Sequence, residues 1–74
     1  MPERFARSAS YLQGHWVALS ALLRESSPRD LTRGEIEAII PKRSDEGSPQ
    51  NVARGQILRA LNQAGFTIGG KRCT

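Results

Sequence analysis

Three prolines limit what this chain can fold into. Ser26-Ser27-Pro28, Pro41 and Ser48-Pro49 interrupt the sequence after its first turns. Proline lacks an amide hydrogen and pushes the residue before it out of the helical region, so helices end at such points. Proline behind a serine instead suits the first position of a new helix. Pro28 and Pro41 therefore close helices and Pro49 opens one, leaving room for three short helical segments.

Between these stops the apolar residues recur with helical period. Leu12, Trp16, Leu19 and Leu23 fall at i, i+4, i+7 and i+11, and Tyr11, Ala18 and Leu22 widen the same face. This predicts a first helix over residues 10–25, capped by Ser8 or Ser10, with Trp16 as its core anchor. Gly14 is an interior weakness that would allow another element to approach closely. Residues 1–9 carry no period and read as a flexible N-terminal arm. Arg29-Asp30-Leu31 is a short extended link.

The sharpest local signal is Thr32-Arg33-Gly34-Glu35. It is a capping box, in which the threonine hydroxyl and the glutamate carboxylate each take a backbone amide of the other residue. Leu31 and Ile36 have the spacing of a hydrophobic staple. The second helix presents Ile36, Ile39 and Ile40 on one side and stops at Pro41. Residues 41–48 contain no apolar side chain beyond the proline and form a loop. A third helix follows from about Pro49 to Ala64, with Ile57, Leu58, Leu61 and Ala64 inward and Ala53 and Ala60 flanking. Gly65 is placed as the left-handed residue after it, and Phe66 folds back on Leu61. Phe66, Thr67 and Ile68 alternate as in a short strand, Gly69-Gly70 can turn the chain, and Lys71-Arg72 fall on a return strand or a frayed end. The fold class is mostly α, a single small helical domain over 10–74 with a short C-terminal β element.

Size bounds function. A chain of 74 residues buries only about 60% of the surface exposed in its unfolded form. With 38% hydrophobic residues and four aromatics, Phe5, Tyr11, Trp16 and Phe66, it builds one thin core layer and no deep substrate pocket. Catalytic patterns are missing: Ser20, Ser44 and Ser48 have no histidine at a recognisable spacing. Glu35 and Glu37 lie two apart on a helix and diverge. His15 is the only histidine and Cys73 the only cysteine, too few for a metal site and excluding an internal disulfide. The expectation is a protein that is not an enzyme and takes no cofactor, with Cys73 a reduced, exposed thiol. The N-terminus lacks the apolar run of a secretory signal and no segment can span a bilayer, so the cytoplasm is the default location.

Charge supplies the functional lead. The formal net charge is +4, and all seven acidic residues lie at or before Glu46, where seven bases balance them. From Gly47 onward there are Arg54, Arg59, Lys71 and Arg72 and no acid. A one-signed field at one end concerns a partner rather than the fold. On a helical wheel Val52, Gly55, Gln56, Arg59 and Gln63 oppose the core stripe, Asn51 and Asn62 border that face, and Arg54 lies near the apolar seam, where it can snorkel. Arg, Gln and Asn match base edges in a major groove, and Gly55 lets a groove wall approach the backbone.

The order of elements resembles the winged-helix variety of helix-turn-helix proteins. The residues that carry the resemblance are Leu31-Thr32-Arg33-Gly34-Glu35-Ile36 opening the second helix. With them go Ile57-Leu58-Arg59-Ala60-Leu61 and Ala64-Gly65-Phe66 leaving the third. It covers about residues 10–72 and implies a three-helix domain with a degenerate wing. The third helix then enters the major groove of double-stranded DNA and the hairpin touches backbone. The nucleic-acid-binding residues would be Asn51, Arg54, Gln56, Arg59 and Gln63 on the helix and Lys71 and Arg72 on the wing. The connection at 41–48 is longer than the usual turn of that motif and places Asp45 and Glu46 near the start of the third helix.

Two functions follow from these features. The first is a small DNA-binding regulator or accessory protein of transcription. The second is a protein-binding adaptor or inhibitor, of the kind carried by phages and mobile elements, docking its basic end on a larger complex. Four cations make a small footprint, which favours a homodimer or a larger partner over a lone monomer.

Overall fold

The computed structural model describes residues 10–73. The expected arm over 1–9, with Ser8 as a cap, lies outside the described residues. A 3-10 turn at Ser10–Leu12 leads into α1 (Gln13–Glu25), followed by α2 (Arg33–Ile39), α3 (Pro49–Ala64), β1 (Thr67–Ile68) and β2 (Lys71–Arg72). The chain is mostly helical with a short antiparallel hairpin at its C-terminal end, as its sequence predicts.

Local chemistry sets the helix ends. The Thr32 hydroxyl accepts the Glu35 amide at 3.2 Å, and the Glu35 carboxylate accepts the Thr32 amide at 2.9 Å, completing the capping box of α2. Leu31 before it is buried and Ile36 packs against the same cluster. Ile40 is extended ahead of Pro41 and ends the helix. Ser48 caps α3 by accepting the Asn51 amide at 3.1 Å, with Pro49 in the first turn. At its far end Gly65 is left-handed, with φ 94°. Its amide bonds to the Asn62 carbonyl at 3.1 Å and that of Phe66 to the Leu61 carbonyl at 3.0 Å. These two bonds define a Schellman ending.

The first helix departs from expectation in several places. Residues 10–12 form a 3-10 turn rather than an α-helix, and Leu12 enters α1 without a side-chain cap. That tighter turn, with about three residues per revolution, moves Tyr11 off the core stripe and leaves it exposed. Leu22 takes the inward position and Leu23 faces solvent, because α2 packs along the side of α1 bearing Leu19 and Leu22. Trp16 is only half-buried, lying across two groups of core residues. Gly14 is exposed, and nothing approaches within 4 Å of where a side chain would begin.

The main core joins Leu19 and Leu22 of α1, Leu31, Ile39, Ile40, Ile57 and Leu61 of α3, Phe66 and Cys73. Leu12 and Ala53 form a smaller cluster on the other side of Trp16. Each fully buried aliphatic or aromatic side chain contributes about 1.5–3 kcal/mol. The burial of Cys73 corrects the expectation of an exposed thiol. The return strand carries the chain back over the core, where the thiol donates to the Phe66 carbonyl at 3.2 Å. Burial, together with the nearby Asp30 charge, raises its pKa and keeps it protonated.

Two elements beyond the helices shape the basic end. Thr67 pairs with Arg72 and Ile68 with Lys71 across the hairpin. Gly69 and Gly70 turn it with φ of 59° and 80°, the positive pair that a type I′ turn requires. The extended link joins this hairpin: the Leu31 amide bonds to the Thr67 carbonyl at 2.8 Å and the Thr67 amide to the Arg29 carbonyl at 3.1 Å. No helix among the described residues is long and apolar enough to cross a membrane.

Candidate nucleic-acid interface

The alternation of apolar and polar residues along α3 turns Ala53, Ile57 and Leu61 into the core and leaves an acid-free face outward. Arg59 and Gln63 are exposed on it, and Asn51, Val52, Gly55, Gln56 and Asn62 are partly exposed. Gly55 opens a shallow place in this face. The Arg59 guanidinium lies back toward it, 3.9 Å from where a Cβ would sit. Among the described residues the one ion pair is Arg29 with Glu35, so no described acid pairs with Arg59.

Asn51 and Arg54 do something the wheel did not predict. Arg54 donates to the Pro41 carbonyl at 2.8 Å, and the Asn51 side-chain oxygen accepts the Ser44 amide at 3.3 Å. Gln50, which sequence reasoning passed over, donates to the Lys42 carbonyl at 2.7 Å. Three side chains from the start of α3 thus hold the 41–48 connection. The available signal was the absence of any apolar residue in that loop beyond Pro41, which is buried, so that polar side chains from a neighbour are left to fasten the rest.

Lys71 and Arg72 are exposed on β2. The Arg72 Nε donates to the Asn62 side chain at 3.4 Å, tying the hairpin to the outward edge of α3. The structure therefore links Arg59, Asn62, Gln63 and Arg72 on adjoining surfaces, whereas Asn51 and Arg54 sit at the opposite end of α3 beside the connection.

Asp30 is the other residue missed. Its Oδ1 accepts from the Thr67 hydroxyl and from the Gly70 amide, each at 2.7 Å. These bonds, the Thr67 one foremost, hold its carboxyl below the ordinary range. The basic end, acid-free in sequence, therefore has one carboxylate beside its hairpin turn, with its charge partly satisfied by those two donors. Glu35 is also held down, to about 2, chiefly by the Arg29 guanidinium and then by the Thr32 amide.

A groove of about 660 Å³ runs along the other flank of α3, floored by Ile36, Ile40, Leu58, Ile68 and Cys73. Glu37, Lys42 and Arg54 line it as well. Comparison of the chain with protein-family models, curated proteins and solved structures returns no match.

Proposed function

We propose that this chain is a small DNA-binding domain of the winged-helix type, acting as a regulator or accessory protein. It lays the outward face of α3 in the major groove and sets the hairpin cations against flanking phosphates. The observation that carries the reading is the exposed, acid-free face of α3 with Arg59 at its centre and Gln63 beside it. Ordinary surface helices mix acids with bases, whereas a face meeting a polyanion excludes acids. Arginine and glutamine also supply the paired donors and acceptors that read guanine and adenine. The tie between Arg72 and Asn62 supports the reading because it fixes the spacing between the reading helix and a phosphate-contacting wing.

Titration of labelled duplex with the purified chain at low salt tests this. Binding that weakens steeply as salt rises supports it. No binding at tens of micromolar protein overturns it. Arg59→Ala should weaken binding and relax preference at one base position by about 1–3 kcal/mol.

The apolar groove beside α3 favours a second reading, in which the domain docks on a protein partner. A partner retained from extract after nuclease treatment, and lost on Leu58→Asp, would favour this reading over the first.

A further inference from the structure

The connection between α2 and α3 is long, but it is not loose. Gln50, Asn51 and Arg54 hold its backbone at Lys42, Ser44 and Pro41. A turn closes between the Ser48 amide and the Asp45 carbonyl at 3.0 Å, with Gly47 at φ 85°. Held this way, the connection and α3 bound a shallow cleft of about 440 Å³, lined by Arg43, Ser44, Glu46, Asn51, Arg54 and Gly55, with Leu58 as its one apolar side chain.

The cleft has a definite chemistry. Arg43 has no hydrogen-bond or ion-pair partner among the described residues and brings a full guanidinium. Arg54 uses one nitrogen on Pro41, leaving donors on the other. The Asn51 oxygen is occupied by the Ser44 amide, so the group left to the cleft is its NH2, a donor. The Ser44 hydroxyl adds another donor, and Gly55 has no side chain to keep an oxygen from the backbone. Two forked cations surrounded by neutral donors match a phosphate group. Glu46 is the opposing charge on the same cleft.

We propose that this cleft is a phosphate site, with Arg43 and Arg54 as its cations and Glu46 as a brake on its affinity. This deepens and rests on the nucleic-acid reading. The site holds one backbone phosphodiester at the opposite end of α3 from the hairpin, so that α3 is gripped at both ends. Because the connection is already fastened, ordering it costs little on binding.

Two arms test the proposal and separate a nucleic-acid phosphate from the free anion. In the first, duplex affinity is followed against salt for the wild-type chain, Arg43→Ala and Glu46→Gln. Arg43 is exposed, and an unchanged thermal melt verifies that its replacement leaves the fold intact. The Arg43→Ala slope of log affinity against log salt should be shallower by about 1, with sequence preference unchanged, and Glu46→Gln should bind several-fold tighter. If the wild type binds duplex while Arg43→Ala keeps its affinity and slope, the cleft is not a phosphate site, although the function stands. In the second arm, inorganic phosphate is titrated into labelled protein. Amide shifts at Ser44, Asn51 and Gly55 that vanish in Arg43→Ala support the site even if duplex binding fails. Absence of those shifts together with no duplex binding overturns both readings.

Discussion

The carboxylate of Asp30 accepts the backbone amide of Gly70 at 2.7 Å. Residues far apart in sequence are joined here, and the same oxygen holds the Thr67 hydroxyl. The link that precedes α2 therefore fixes the tip of the hairpin and, through β2, the position of Lys71 and Arg72. Asp30→Ala should speed hydrogen exchange at Gly70 and Lys71 while the amides in the centre of α3 stay protected. Cys73, two residues beyond Lys71, should react faster with a thiol reagent in that variant. Unchanged exchange at Gly70 would show that the hairpin stands without the carboxylate.

Glu35 gives the fold an acid limb. Its carboxyl is held at about 2, against an ordinary 4.5, by Arg29 and the Thr32 amide. A depressed carboxylate contributes stability that is complete above its unfolded value and is lost as pH falls toward its folded one. Stability should therefore decline between about pH 4.5 and pH 2. Glu35→Gln should flatten that decline, most visibly in urea melts taken at pH 5 and pH 3. An equally steep decline in the variant would assign the acid limb to other groups.

Two glycines should respond in opposite directions to alanine. Gly65 has φ 94°, and a Cβ there would meet Pro28 at 3.1 Å. A left-handed alanine costs about 1–2 kcal/mol before that contact is counted, so Gly65→Ala should destabilise by at least that much. Gly14 lies within α1 with open space around it, and Gly14→Ala should stabilise by about 0.5–1 kcal/mol. Denaturant midpoints check both, and a stabilising Gly65→Ala would contradict the Schellman ending described above.

What could be read from sequence divides along local and non-local physics. The ends of α2 and α3 were legible because a capping box, a serine before proline and a glycine before an aromatic act within a few residues. The acid-free face of α3 was legible from helical period alone. The inward choice of Leu22 over Leu23 depended on where α2 docks, which no period in α1 encodes. Asp30, Cys73 and the bonds of Gln50, Asn51 and Arg54 were hidden for the same reason: each acts between segments that only the fold brings together. A wheel can say that Asn51 and Arg54 are polar and near an edge, but not that a loop returns to meet them.

In the proposed function the outward face of α3 and the hairpin together meet duplex DNA. Titrating labelled chain with a short duplex and following backbone amides tests it most directly. Gly55, Gln56, Arg59, Gln63, Gly70 and Lys71 should shift together, saturably and less at high salt. Shifts confined to Ile36, Ile40 and Ile68 along the apolar groove, or no shifts at all, would contradict it.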